Sequence, residues 1–294
     1  MIPCISQATT LSTPFESDLA AYSRAGFSAI EIWLTKLEDF LVGDRGYEDV
    51  RTRLAAERLI PLAAAAQGGL LLSRGAERAA HWDLFRRRLE ILRRLQIPTL
   101  VVAADYSGEP SGDDYAVAAQ ALAEVGEVAG EFGVRIAFEF QKSARFCSSL
   151  ETAAALLVQS GANNVGICLD LFHYYTGPSK FEDLAYLTRE NLFWVQLNDL
   201  SATPREIAGD ADRILPGDGD FQLTPILRRL HEIGYDGGVS LEVMNPMLWG
   251  IAADRVADLG YQAVERSLAA ASIPTTRAED STRAVASPKN DREG

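Results

Sequence analysis

Eight short, β-rich apolar runs recur along the chain, and between them lie longer segments whose apolar residues fall at three- and four-residue spacing. That alternation is the mark of βα units built on a parallel sheet. The runs are Pro3 to Gln7, Ala29 to Leu34, Leu62 to Ala66, Thr99 to Ala103, Arg135 to Phe140, Gly166 to Leu169, Phe193 to Asn198 and Gly238 to Val243. Most are almost continuously apolar, as strands covered on both faces should be. Trp82 to Leu95 and Asp113 to Phe132 show the helical period, and Ala252 to Ala270 reads as the closing helix. Gly26, Gly133, Gly161 and Gly234 stand where helices should stop, because glycine takes the left-handed conformation at least cost. Eight such units predict an α/β fold, a closed (β/α)8 barrel forming a single domain over residues 1–270. The first βα turn has no G-x-G-x-x-G pattern, so an open dinucleotide-binding sheet is the weaker alternative. Residues 271–294 contain no aromatic side chain and are dominated by small, charged and turn-forming types, which reads as a disordered tail.

Composition narrows the partners. The 294 residues carry a formal net charge of -13, with a pI near 4.8, which argues against binding the phosphate backbone of nucleic acid. Cys4, Cys147 and Cys168 have no short-spaced pairing, so neither a disulfide framework nor a cysteine-rich zinc site is expected, and a reducing cytoplasm is the simplest setting. The N-terminal residues lack the basic start and apolar core of a secretory signal, and no stretch is apolar and long enough to cross a bilayer. The expected partner is a small molecule, and assembly into a homo-oligomer is compatible with this composition.

In a barrel of this kind, side chains at the C-terminal ends of the strands converge on one mouth. Four oxygen donors occupy such ends: Glu139, Asp170, Gln196 and Glu242, on the fifth to eighth runs. Buried acids in series need a cation, protons or basic partners, and a divalent ion supplies the charge most directly. The oxygen-rich set favours Mg or Mn, with Zn, Co or Fe as alternatives. His173, three residues after Asp170, is placed to give a proton or a hydrogen bond to a substrate. Arg145 is a candidate clamp for a carboxylate or phosphate, against the plainer reading of a solvent-facing arginine. The long segment after the seventh run carries Arg205, Arg213 and the turn from Leu215 to Asp220. Trp33 and Trp249 are candidate apolar walls of the pocket or ordinary packing. Glu31, inside the second run, needs a partner and reads as half of a structural ion pair, whereas His81 and His231 read as surface residues.

With these residues in place, the chain resembles the xylose isomerase-like TIM-barrel superfamily, which includes sugar isomerases and epimerases, inosose dehydratases, 3-dehydroshikimate dehydratases and endonuclease IV. The likeness covers most of residues 1–270. It is carried by the segments from Phe27 to Ile32, Ala137 to Glu139, Cys168 to His173, Val195 to Asp199, Leu215 to Asp220 and Val239 to Glu242, in that order. The resemblance implies that Glu139, Asp170, Gln196 and Glu242 bind the metal and that His173 and Arg213 meet the substrate. Many members have His where this chain has Gln196, and ketose 3-epimerases typically have Glu where it has Arg145. That combination looks more like the bacterial 3-dehydroshikimate dehydratases. With only 3 His, the chain departs from the multi-zinc endonuclease IV pattern.

The expected chemistry is proton abstraction beside a metal-polarised carbonyl of a keto-sugar, cyclitol or dehydroshikimate, with Glu139 and Glu242 as the acid-base pair. Loss of a β-hydroxyl, with His173 as acid, gives dehydration; return of the proton gives epimerisation or isomerisation. The Arg145 and Gln196 pair tips the reading slightly to a dehydratase. A non-catalytic barrel subunit is the alternative from outside enzymology.

Overall fold

The computed structural model describes residues 1–106 and 108–280. Eight parallel strands close into a barrel in chain order, the first pairing with both the second and the eighth. They are β1 (Ile2–Ser6), β2 (Ala29–Trp33), β3 (Ile60–Gln67), β4 (Thr99–Ala103), β5 (Arg135–Glu139), β6 (Val165–Asp170), β7 (Leu192–Leu197) and β8 (Gly238–Leu241). Every apolar run is thus a strand, with ends displaced by at most two residues. Around them lie α1 (Phe15–Ala25), α2 (Leu34–Phe40), α3 (Tyr47–Ala56), α4 (Gly75–Leu95), α5 (Asp114–Glu131), α6 (Leu150–Ser160), α7 (Leu171–Thr176), α8 (Leu223–Glu232), α9 (Pro246–Trp249) and α10 (Ala253–Ala270). The four glycines expected to stop helices all have positive φ.

Side chains two apart on a strand share a face, and this parity sorts the barrel into layers. Outward positions such as Ile5, Ile30, Leu100, Phe138, Ile167, Val195 and Leu241 build the main core beneath the helices. Inward, Ile2, Cys4, Ala29, Ala63, Ala65, Val101, Ala137, Cys168 and Trp194 form a second cluster. Its members are small because the Trp194 indole fills the space between them: a Cβ on Gly238 would lie 2.5 Å from that ring. Two residues further along, on every strand but β4, the same inward parity brings up Ser6, Glu31, Gln67, Glu139, Asp170, Gln196 and Glu242, all buried. The acids therefore sit one layer above an apolar plug, at the C-terminal end of the barrel.

The opposite end is closed by chain that the sequence reads as disordered. Met1 donates its amino group to Pro274 O at 3.0 Å, Thr276 N–H donates to Met1 O at 3.0 Å, and Ala278 N–H donates to Ser28 Oγ at 3.0 Å. Ala271, Ile273 and Ala278 are buried, the last within the inner cluster, so residues 271–280 cap the barrel floor. The remainder of that expected tail, 281–294, lies outside the described residues. No helix among the described residues is long and apolar enough to cross a membrane.

Candidate metal centre

Asp170 ends β6 and also caps α7: its Oδ1 accepts from the backbone N–H of Phe172 at 2.6 Å and of His173 at 3.1 Å. An acid at a helix start satisfies two otherwise unpaired donors, and here it pins His173 over the mouth. Glu139 ends the neighbouring β5, and its Oε1 lies 3.8 Å from His173 Nε2. Glu139, Asp170 and His173 thus present donor atoms within 4.8 Å of one another, all from buried residues.

Arg213 comes to the same point from the segment after β7. The backbones of Asp199 and Ile214 exchange two hydrogen bonds, of 3.0 and 2.9 Å, folding the segment back onto the strand end. The Asp199 carboxylate then accepts from the N–H groups of Leu200, Gly217, Gly219 and Phe221 at 2.9 to 3.1 Å. Only glycine fits at 219, where a Cβ would lie 2.4 Å from both Asp199 Oδ1 and Leu200 O. The Pro-Gly-Asp-Gly turn is therefore a clasp that delivers Arg213. The Arg213 guanidinium is 1% exposed, and its Nη1 donates to Asp170 Oδ2 at 2.6 Å and to Glu242 Oε2 at 3.1 Å. Its Nη2 faces His173 Nε2 at 3.4 Å, Asp210 holds its outer edge, and the Phe172 ring lies 4.7 Å beneath.

Gln196 is bound differently from a ligand presenting its amide oxygen outward. Its Nε2 donates to Glu31 Oε1 and to Glu242 Oε1, both at 2.9 Å, and its Oε1 accepts from Cys168 Sγ at 3.2 Å. Glu31, expected to form an ion pair, meets this amide instead, and among the described residues no basic nitrogen is paired with it.

Four buried carboxylates, Glu31, Glu139, Asp170 and Glu242, thus share the barrel mouth with one buried guanidinium, and the imbalance shows in their proton affinities. Burial pushes Glu139 up to about 8, with the Asp170 charge adding to it and Arg213 opposing. Burial likewise raises Glu31 to about 7, and raises Glu242 against the pull of Arg213. Burial would lift Asp170 too, but Arg213 and His173 hold it at about 2. His173 is lowered to about 4 by burial, despite Asp170, so its imidazole is neutral and one ring nitrogen keeps a lone pair. His173 Nδ1 has no hydrogen-bond partner among the described residues. Two carboxylates, a neutral imidazole and surplus buried negative charge form a donor set that fits a divalent cation.

The other expected site residues lie further off. Arg145 is 55% exposed and pairs with Glu109 at the surface. Trp33 packs against the inner cluster at the end of β2, and Trp249 donates its indole N–H to Ala8 O at 3.0 Å; both are half-buried. Arg205 donates to Gly177 O and lies over the Tyr175 ring. His81, read as a surface residue, lines a cavity of about 740 Å³ with Leu71, Asp105, Tyr106, Glu109 and Phe146. None of the acids of the cluster lines that cavity, although its Ala104 donates to Glu139 O at 2.8 Å. Two site residues are absent from the sequence reading: Asn198, which donates to Asp170 at 3.3 Å and directly follows β7, where a polar residue at a strand end was the available signal, and Asp210, three residues before Arg213 in the long segment after β7.

A sequence model described as xylose isomerase-like TIM barrel matches residues 19–254. The chain belongs to the xylose isomerase-like TIM barrel family. Within it, an inosose isomerase of Halalkalibacterium halodurans is 27% identical over 259 residues, spanning 85% of this chain and 90% of that one. A 3-dehydroshikimate dehydratase of Pseudomonas aeruginosa is 29% identical over 256 residues, spanning 80% of this chain but 37% of that one. The crystal structure of IolI protein with a binding zinc atom superposes with a TM-score of 0.85 at 24% identity, covering 92% of this chain and 98% of that one. These named relatives of the family are enzymes, an isomerase and a dehydratase.

Proposed function

We propose that the protein is a divalent-metal-dependent isomerase or epimerase of a polyhydroxylated ketone, an inosose or keto-sugar, that works by proton transfer at the carbon beside the carbonyl. The observation that carries this reading is the buried excess of carboxylate at the barrel mouth, where Glu139, Asp170 and His173 aim donors at one another while Arg213 covers only part of the charge. Those three residues would hold the ion. The carboxylates favour Mg or Mn, and the imidazole suits Zn or Co, as does the zinc of the IolI structure. When bound, the ion supplies Lewis acidity to a carbonyl and lowers the pKa of the adjacent C–H.

Glu139 ends β5 and Glu242 directly follows β8, three strands on, and burial raises the proton affinity of both carboxyls. One removes the proton and the other returns it. Delivery to the opposite face inverts the centre, and delivery to the neighbouring carbon isomerises the ketone. The likeness to inosose isomerase along nearly the whole of both chains supports this outcome. Dehydration is the second reading, supported by the Pseudomonas aeruginosa dehydratase, but the surface position of Arg145 removes the clamp that an anionic dehydroshikimate would need.

The test is NMR of inososes and ketohexoses in D2O with the protein and each of Mg, Mn, Zn and Co. The expected result is deuterium entering beside the carbonyl together with a new isomer, both lost in Glu139→Gln along with metal binding. An ultraviolet-absorbing conjugated enone without isomer would select dehydration. A protein that binds no divalent ion and exchanges no proton would sink both readings.

A further inference from the structure

Lys142, three residues past the end of β5, reaches to the long segment that follows β7. That segment contains one helical turn, in which the N–H groups of Ile207 and Ala208 both donate to Pro204 O, at 3.0 and 3.1 Å. A second turn follows directly: Asp212 N–H donates to Gly209 O at 2.9 Å, Arg213 N–H to Asp210 O at 3.3 Å, and Gly209 N–H to the Asp212 carboxylate at 2.9 Å. Lys142 Nζ sits at the junction of the two, donating to Arg205 O at 3.1 Å and to Ala208 O at 2.5 Å. Carbonyls that end a helical turn find no partner within it and carry the negative end of its dipole, so an ammonium there supplies both hydrogen bonds and opposite charge. Ala208 is buried and Lys142 half-buried, while the exposed Arg205 adds an outer contact to Gly177 O at 3.2 Å. Just beyond the junction stands Asp210, which grips the outer edge of Arg213 with bonds of 3.0 Å from Nε and 2.7 Å from Nη2. The same guanidinium presents Nη1 to Asp170 and Glu242.

We infer that Lys142 is a positioning residue: it locks the 204–213 turns against the β5 loop and, through Asp210, sets where the Arg213 guanidinium stands among the carboxylates. Two anchors divide this work. The backbone pairing of Asp199 with Ile214 fixes the main chain beside Arg213. An arginine side chain is long and flexible, however, so a fixed backbone leaves the guanidinium free to wander unless its outer edge is also held. Asp210 holds that edge only while its own turn stays in place, and the Lys142 ammonium is what ties the turn to a strand end carrying Glu139. The groups on β5 and those after β7 are thereby set in one frame before substrate arrives. The kinetic part of this inference rests on the proton-transfer function proposed above.

The test compares wild type with Lys142→Met, Lys142→Arg, Arg213→Met and the Lys142→Met/Arg213→Met double variant. It measures Mn(II) affinity by calorimetry, kcat and KM, and, in the metal-free proteins, hydrogen exchange of the 204–213 backbone by mass spectrometry and of the Arg213 Nε–H by NMR. Lys142→Met should speed both exchanges by about tenfold or more while the strands stay protected, and Lys142→Arg, which can still bond both carbonyls, should restore them. With Arg213 loosened, Lys142→Met should bind Mn(II) about three- to tenfold more tightly than wild type, short of Arg213→Met, and Lys142→Arg should stay within about twofold of wild type. Loss of a positive charge tightens cation binding by itself, but that effect survives in the Arg213→Met background, whereas loss of positioning does not. The double variant should therefore match Arg213→Met within about twofold. In turnover, Lys142→Met should lose about tenfold in kcat/KM and Lys142→Arg should recover to within about threefold. A double variant that gains as much over Arg213→Met as Lys142→Met gains over wild type overturns the inference. So does an Arg213 Nε–H that exchanges as slowly in Lys142→Met as in wild type, or one already fast in wild type. If wild type turns over none of the polyols, the functional reading fails alone and the affinity cycle and the exchange decide the role of Lys142. If it binds no Mn(II) either, the Nε–H exchange decides.

Discussion

Arg213 Nη1 lies 2.6 Å from Asp170 Oδ2, with both side chains buried and a second carboxylate, that of Glu242, 3.1 Å from the same nitrogen. The guanidinium neutralises carboxylates that the cluster would otherwise leave uncovered, which is also what a bound cation would do. Breaking a buried pair from one side costs about 3–5 kcal/mol, because the remaining charge is left without a partner. Arg213→Met should therefore destabilise the metal-free protein by about that amount and bind Mn(II) more tightly than wild type, recovering part of the loss. Urea denaturation with and without Mn(II) measures both. Equal Mn(II) affinity in the two proteins would mean that arginine and ion do not compete.

The clasp made by Asp199 predicts a variant impaired in activity more than in folding. Asp199→Ala frees four backbone N–H groups, a loss of about 1–3 kcal/mol, but lets the 199–220 segment release Arg213 from the mouth. Trypsin cleavage after Arg205 or Arg213 should accelerate, and kcat/KM should fall by about tenfold or more. Gly219→Ala should behave alike, since its Cβ would collide with the same carboxylate. A clasp variant with wild-type protease resistance would refute this role for the turn.

Asp18 and Lys36 form a buried ion pair on the other side of the β1 turn. Burial pushes the Asp18 carboxyl up to about 6, against Lys36 and hydrogen bonds from Thr10 and Gln7, and burial lowers Lys36 against the pull of Asp18. The folded chain thus holds the Asp18 proton more tightly than the unfolded chain does. Its contribution to stability is full below about pH 4 and is lost as pH rises through about 6, an effect on the order of 2–3 kcal/mol. The stability of wild type minus that of Asp18→Asn should decline across that window in urea titrations; a flat difference would show that Asp18 titrates normally.

Deleting everything after Ala270 uncovers the barrel floor. The truncated chain loses the burial of Ala271, Ile273 and Ala278 and the bonds to Met1 and Ser28, which together should cost about 2–4 kcal/mol. A lower thermal midpoint with unchanged metal affinity is the expected pair of results, because the acid cluster lies at the far end of the strands. A midpoint equal to that of the full chain would mean that the segment only decorates the floor.

The barrel and the order of its strands were legible in the chain because both follow from local periodicity, and the acids at the ends of β5, β6 and β8 could be picked out because strand ends of such a barrel converge. What the linear pattern could not reveal is which loop arginine reaches the mouth. Residue type and spacing alone leave Arg145 and Arg213 equivalent, with the family resemblance favouring the second, and it is the Asp199 clasp and the buried carboxylates beneath it that draw Arg213 in. Nor could it show that Glu31, 165 positions before Gln196, shares an amide with Glu242, or that the polar-looking segment after Ala270 has three apolar side chains that fit a floor. Local pattern acts through the backbone's own repeat, whereas the partner of a buried charge is set by which strands close beside one another, and that is decided only when the barrel forms.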